Sequence, residues 1–441
     1  HPAFQNEDGT TRIVGIWDQT AEDGTPPNGM VYGAFYGEEQ INEALRSERP
    51  REIVPEQDEN GHGTFLAGVA CGSTDGTADF SGAAPLAQIA VVKCKQAKPY
   101  LRDYYFIPQG QECYQENDLM MGISWLNRFA YERRMPLVLC IGMGSGLGNH
   151  VGDEPLAIQC DEFGRRRQRA VVVAAGNAAN QRRHYQKRGM EEGAVESIEL
   201  SVGSNLAGFQ MEIWTMVPEI YELSIVSPTG ERFPKTVVRP GERQEYAIVG
   251  TRNSMQQIML RFEQPLSGIW TVELQADFVL SGNIFCWLPL SQLLSGEVFF
   301  LRSDPNTTVT MPGMSRVAIT TGAYQAIGGS IDPDSGRGFS SLDAVKPDIV
   351  APGVNVLGPV LRDRYELRSG TSISAALTAG ACAQLFQWGI VENNMLYLNT
   401  TDLKNLLIRG AVRDEDRTYP NPVYGYGVLE VYQALSRLRG N

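Results

Sequence analysis

Short apolar runs alternate with longer helix-periodic segments between residues 12 and 177, and few folds accept that pattern. Arg12–Asp18, Gln88–Cys94, Pro136–Ile141 and Ala170–Ala175 read as buried strands. Between them lie a short helix at Glu38–Arg46, an apolar helix opening at His62, an amphipathic helix over Asp118–Tyr131 that Asp118 could cap, and a helix over Glu154–Arg169. Lys95–Asn117 reads as a long loop. Strands and helices in alternation predict a parallel sheet covered by helices on both faces.

The pattern changes near Met190. From there to Met311 short alternating segments follow one another with turns between them: Gly208–Met216, Tyr221–Val226, Gln256–Phe262, Gly268–Gln275 and Gly282–Leu288. Such a stretch predicts an all-β, jelly-roll-like insert. The α/β pattern returns with strands at Arg316–Ala323 and Lys346–Gly353, an apolar helix through Ala381–Trp388, and closing helices at Asp402–Arg409 and Leu429–Leu438. The expected organisation is a catalytic domain built from 1–187 and 313–441 with a β-sandwich at 188–312.

Composition excludes several classes. The net charge of −13 opposes binding to nucleic acid, whose phosphates need Lys and Arg. No apolar run is long enough to span a bilayer. The seven cysteines lack metal-type Cys-x-x-Cys spacing, and Cys71, Cys140, Cys286 and Cys382 lie in apolar surroundings. Most read as buried free thiols, which suits a reducing or anaerobic setting. The chain starts at His1 with no signal peptide, as a processed or trimmed chain would. The basic clusters Arg165–Arg167 and Arg182–Arg183 read as solvated charge, and His150 and His184 have no partners at zinc spacing.

The chemistry gathers at strand and helix ends. Ser369–Gly380 places Ser372 after Gly-Thr and before small residues, at the first turn of a buried helix. Unpaired N–H groups and the helix dipole favour negative charge there. A serine nucleophile needs a base, and the base needs an orienting acid. Of four histidines, His62 stands between two glycines and opens a helix, so it is the best base. Asp18 ends a strand, where an open α/β sheet collects its chemistry. Asn177, after Gly176 at another strand end, can offer an amide to an oxyanion, with the Ser372 backbone N–H as second donor. Each of Asp18, His62 and Asn177 alone also fits a turn or cap; together, in the order Asp18, His62, Ser372, they fit a hydrolase.

Those residues resemble a family. Asp18 in Ile-Val-Gly-Ile-Trp-Asp, Gly61-His-Gly-Thr64, Ala174-Ala-Gly-Asn177 and Gly370-Thr-Ser372 resemble the subtilisin-like serine proteases, as do Phe339–Ser341 and Lys346–Gly353. The likeness covers 1–187 and 313–441 and implies a three-layer α/β/α endopeptidase. It implies that Gly142, Met143 and Gly144 line one wall of the pocket for the residue before the scissile bond, and that Ala174, Ala175 and Gly176 line the other. Two stretches depart from the family. Ile373-Ser-Ala-Ala-Leu377 stands where Met-Ala-Ser-Pro-His is usual, and Cys140-Ile-Gly-Met-Gly144 where Asn-Met-Ser-Leu-Gly is usual. Both leave the pocket shape open.

The inserted β domain, the Tyr104–Asn117 loop and Tyr424–Glu430 make the chain similar to the clostridial Csp germination proteases. That resemblance implies a protease that removes its own prodomain, which can stay bound, and that activates a precursor of a spore cortex hydrolase. It implies a spore-associated, secreted or cell-surface location in an anaerobic bacterium. The chemistry needs no cofactor; the family's structural calcium is not marked here by a run of acids. The rival reading is a pseudoprotease that binds and regulates a partner, against which the intact Asp18, His62 and Ser372 set stands.

Overall fold

The computed structural model describes residues 1–238, 247–252 and 254–437. The body opens with β1 (Ile13–Asp18), β2 (Ala34–Gly37), α1 (Glu38–Arg46), α2 (Pro50–Ile53), α3 (His62–Cys71), β3 (Ile89–Lys93), α4 (Pro99–Tyr104), α5 (Glu116–Glu132), β4 (Leu137–Ile141), α6 (Pro155–Gly164) and β5 (Arg169–Ala174). The insert contributes β6 (His184–Lys187), β7 (Val195–Val202), β8 (Gly208–Met216), β9 (Ile220–Val226), β10 (Thr236–Val238), β11 (Ala247–Arg252), β12 (Met255–Glu263), β13 (Gly268–Phe278), β14 (Ile284–Trp287) and β15 (Val298–Phe300). The body resumes with β16 (Ile319–Tyr324), β17 (Ile349–Pro352), the hairpin β18 (Val356–Val360) and β19 (Arg364–Arg368), then α7 (Thr371–Phe386), α8 (Thr400–Gly410) and α9 (Val431–Ser436).

The body's sheet comes in two pieces rather than one. β4, β5, β16 and β17 pair in parallel, and β1 pairs in parallel with β3 and antiparallel with β2. Among the described residues no ladder joins β3 to β4, and a cleft of about 1840 Å³ lies between them. α7 crosses the four-stranded piece and is buried along nearly its whole length. Its Ala, Gly and Ser side chains allow this, because small residues let a helix approach a sheet closely on every side. Ala375, Ala379, Cys382 and Leu385 pack with Val172, Ile319 and Ile349 in that core.

Local differences from the sequence reading have physical causes. α5 begins at Glu116, so Asp118 lies inside its first turn instead of capping it. The Asp118 carboxylate is buried and takes up the Tyr32 hydroxyl (2.8 Å) and Lys95 (3.2 Å), a tertiary use that overrides capping. The Lys95–Asn117 loop contains α4, started by Pro99. α6 stops at Gly164, and Arg169 starts β5. α9 runs over Val431–Ser436, and Leu438 lies outside the described residues.

The insert is all-β: one sheet in the order β10-β9-β13-β7-β15 and another in the order β11-β12-β8-β14-β6. Along β13, Trp270, Val272, Leu274 and Ala276 turn inward at every second residue, as a half-buried strand requires. The insert starts four residues before the expected boundary, because His184–Lys187 pairs with β14. For the same reason Arg183 is not solvated charge. It is buried and bonds the Val298 carbonyl and Ser291 Oγ, fastening the crossing point. Arg165–Arg167 do face solvent.

The insert meets the body around Trp287. Its indole lies between His150 (ring centroids 4.2 Å apart) and His184 (4.9 Å), and its Nε1 donates to the Thr307 carbonyl. Glu212 of β8 accepts from the Gly148 N–H (2.8 Å) and from Trp214 Nε1 (3.0 Å), and Arg252 pairs with Asp153 (3.3 Å). Both histidines are fully buried. Burial drives His150 down to about 3 and lowers His184 as well, so both are neutral in the folded protein. The unfolded chain binds protons below a histidine's ordinary value of about 6.5, and the fold does not until near its own lower values. Their contribution to stability is therefore present above pH ~6.5 and is lost as pH falls towards about 3. We expect urea midpoints to fall steadily over that window, and the slope to be shallower in a His150→Asn/His184→Asn double variant. An unchanged slope in that variant would remove the histidines from the acid response.

Candidate active site

α3 places the base. Gly61 precedes it with φ +79°, a left-handed conformation that glycine adopts without strain. The cap comes from Asp58, three residues upstream. Its Oδ1 accepts from the Asn60 and Gly61 N–H groups (3.1 and 2.8 Å), and its Oδ2 accepts from the Thr64 N–H and hydroxyl (2.9 and 2.7 Å). Four hydrogen bonds to one carboxylate at a helix N-terminus hold the turn that carries His62 and hold Asp58 below the ordinary carboxylate range.

α7 places the candidate nucleophile, Ser372. Gly370, with φ +151°, is followed by Thr371 and then by Ser372, the second residue of the helix, where the N–H has no intrahelical acceptor. His62 Nε2 lies 3.2 Å from Ser372 Oγ. The imidazole is held below the usual histidine value, first by desolvation. The Asp58 and Glu112 carboxylates push it up and Arg368 pushes it down. A base kept neutral near pH 7 can take the serine proton. The neighbouring Cys140 thiol is pushed up by burial to about 12 and is inert as a nucleophile.

Asn177 stands at the end of β5, beside this pair. Its Oδ1 accepts from the Thr371 N–H (2.9 Å) and from the Thr371 hydroxyl (3.0 Å). The same hydroxyl accepts from the Gly176 N–H (2.9 Å). With its oxygen committed to Thr371, the Asn177 side chain has only its NH₂ left to turn outward. A methyl group on Gly370 would lie 3.5 Å from Asn177 Nδ2 and 3.6 Å from Ser372 Oγ, so both atoms border one small space. Gly142 closes it from the other side: a methyl there would meet Ser372 Cβ at 3.2 Å and His62 Cε1 at 3.7 Å.

Asp18 is the exception. It is buried at the end of β1, and its Oδ1 accepts from the Thr20 N–H (2.8 Å) and hydroxyl (2.6 Å). Among the described residues no hydrogen bond joins it to His62. The structure thus brings together His62, Ser372, Asn177 and Gly142, and leaves Asp18 with its own turn on the separate three-stranded sheet. Two contributors escaped the sequence reading. Asp58 had a signal, an acid just ahead of Gly-His-Gly-Thr. Thr371 had none, since its role exists only through a contact 194 residues away in sequence.

The sequence pattern of the Subtilase family matches residues 9–257 and 289–427. The chain belongs to the subtilase family. That family consists of subtilisin-like serine hydrolases, and the Ser372–His62 pair occupies the part of the fold just described. The whole chain superposes on the CspB protease of Clostridium perfringens with a TM-score of 0.88 and 29% identity, covering 100% of this chain and 90% of that one. A stretch of 153 residues, 33% of this chain, is 31% identical to the C5a peptidase of Streptococcus pyogenes serotype M18, of which it covers 13%. Another of 154 residues, 30% of this chain, is 30% identical to the serine protease AprX of Bacillus subtilis strain 168, of which it covers 33%. The matched parts therefore span well under two thirds of those two relatives. Among the described residues no group of His, Cys, Asp and Glu stands together as a metal cage, and no helix is long and apolar enough to cross a membrane.

Two substitutions probe this arrangement. Asn177→Ala is expected to lower kcat by roughly 100- to 1000-fold with a much smaller change in KM, the loss typical of a side-chain oxyanion donor in this class. In Asp58→Asn the charge that raises His62 is gone, so the acid limb of kcat/KM against pH should move to lower pH. The variant should also lose some stability, because an amide NH₂ cannot accept the pair of hydrogen bonds that one of the two carboxylate oxygens takes. An acid limb that stays in place would show that Asp58 acts on the helix alone.

Proposed function

We propose that this subtilase is a serine endopeptidase working through an acyl-enzyme. The observation that carries the reading is the 3.2 Å approach of His62 Nε2 to Ser372 Oγ beside the anchored amide of Asn177. In this mechanism His62 takes the Ser372 proton as Oγ attacks the scissile carbonyl. The carbonyl oxygen, now negative, is met by the Ser372 N–H and the Asn177 NH₂. His62 then returns the proton to the leaving amine, and water repeats the cycle to release the acyl group. Asp18 is assigned the orienting role. It would stabilise the imidazolium once the three-stranded sheet moves towards α3, in keeping with the looser geometry of unliganded catalytic sites.

The peptide would run past Gly142, Met143 and Gly144 on one side and Ala174, Ala175 and Gly176 on the other. The reading extends, as the sequence resemblance to the Csp proteases implies, to maturation by removal of the chain's own prodomain and to protein substrates at a spore or outside the cell of an anaerobe. The seven free thiols agree with an anaerobic setting. No cofactor has a step in this mechanism, and a structural calcium ion stays outside it. The regulatory pseudoprotease has one observation in its favour, the missing Asp18–His62 contact.

A fluorophosphonate probe separates the two. Wild type should label at Ser372 and cleave an unfolded protein, while Ser372→Ala should do neither, with turnover down by on the order of a millionfold. A folded wild type that takes no label would leave the regulatory reading standing. Expressed from its full-length gene, Ser372→Ala should also remain joined to its prodomain.

A further inference from the structure

Arg169 opens β5 and is only 6% exposed, yet among the described residues it pairs with no carboxylate. Its guanidinium is held by neutral groups. Nε donates to Asn127 Oδ1 (2.8 Å), and Nη1 donates to the Gln168 and Met135 carbonyls (2.9 and 3.2 Å). Nη2 has no hydrogen-bond partner among the described residues. Burial lowers Arg169 from the usual guanidinium value, and the neighbouring Arg166 lowers it further. A buried cation beside a second cation is unfavourable without a counterion. In a chain of net charge −13 such a cluster stands out.

Arg169 lines a pocket of about 390 Å³ with Asn127, Arg128 and Tyr131 of α5 and with Arg166 and Arg167 of the turn after α6. No lining residue is acidic. Arg165, next in the chain, differs in that it pairs with Asp161 (3.7 Å). Arg128, Arg166 and Arg167 form no ion pair among the described residues. Arg128 donates to the Asn28 carbonyl (3.0 Å), and Arg167 lies over the Tyr397 ring (4.3 Å). The Asn127 oxygen is taken by Arg169, so its NH₂ is what remains for a further partner. Four guanidinium groups and one amide thus line the pocket as donors.

We propose that this pocket binds the phosphate group of a phosphorylated small molecule. A guanidinium presents its N–H donors in a fixed fork that matches the oxygens of an anion. A carboxylate offers two oxygens in one plane, whereas a terminal phosphate offers three. The arginines come from three segments, α5, the turn after α6 and the start of β5, and such a spread of directions suits the phosphate. The volume lies within the range of small-ligand sites and exceeds what one phosphate group needs, which leaves room for the molecule that carries it. The site is separate from the candidate active site: Arg169 begins β5, and Asn177 follows its other end.

The test is calorimetric titration of the whole chain with inorganic pyrophosphate, inorganic phosphate and citrate at physiological ionic strength. Wild type should bind one pyrophosphate per chain, and phosphate less tightly because it fills less of the pocket. Citrate, a carboxylate of comparable charge, should bind about 10-fold more weakly than pyrophosphate or worse. Pyrophosphate should also raise the melting temperature in a concentration-dependent way. Arg166→Gln and Arg167→Gln alter exposed side chains, so both variants should melt like wild type without ligand. Each should weaken pyrophosphate binding by roughly 10-fold or more, as loss of a charge-assisted hydrogen bond does. Neither heat nor a melting shift at millimolar pyrophosphate in wild type overturns the proposal. An affinity unchanged in both variants also overturns it, since the anion would then sit elsewhere. Citrate binding as tightly as pyrophosphate would reduce the pocket to unselective positive charge and remove the phosphate assignment.

Discussion

Thr371 joins the two halves of the site. One hydroxyl takes the Gly176 N–H and gives its own proton to Asn177 Oδ1, while the Thr371 N–H donates to that same oxygen. The start of α7 and the end of β5 thereby become one rigid frame. Ser372 is the next residue on one side of that frame, and the Asn177 amide is on the other. Preorganisation of this kind is what makes an oxyanion site effective, since the donors need not reorient during the reaction. The helix can bear the constraint because it is buried by small side chains and rooted in the four-stranded sheet. Ser374 adds a second attachment, donating to the Ala351 carbonyl (3.0 Å) at the end of β17.

Deeper in the body, buried charge is used for location. Lys346 and Lys404 converge on Asp348 at 2.8 and 3.0 Å, and Asp348 also accepts from the Thr320 N–H (2.8 Å). Burial lowers Lys346 to about 8 even with that carboxylate beside it. Such a cluster adds little net stability over an apolar core, but breaking it would leave a charge without a partner. It fixes where β16, β17 and α8 meet. The insert is docked by a different logic: aromatic stacking of Trp287 between two neutral histidines, with Glu212 reaching across to the Gly148 N–H. That second contact holds the loop that follows β4 and carries Gly142–Gly148.

The division of the sheet between β3 and β4 separates Asp18 from His62 and Ser372. β1 and β3 hold each other and leave the four-stranded piece across a cleft, and Asp18 bonds within its own turn. Serine and histidine are assembled by contacts between α3 and α7, independently of β1. The His62–Ser372 pair and the Asp18 turn thus stand on separate pieces of the body.

Much of this was legible in the sequence. Alternating strand and helix periods marked the body, the loss of helical period after Met190 marked the insert, and four short motifs marked Asp18, His62, Asn177 and Ser372 at the ends of elements. These are local signals: hydrophobic period, glycine at turns and helix-start chemistry act within a few residues, so they survive in one dimension. What needed the tertiary structure were contacts between distant segments. The Asp118 carboxylate went to Tyr32 and Lys95 instead of a cap, Arg183 went inside instead of into solvent, and the His184 strand joined the insert. The Thr371 clasp and the placement of Asp18 on a sheet separate from His62 and Ser372 belong to the same class. Each depends on how whole elements pack, and packing is decided by the sum of many contacts far apart in the chain.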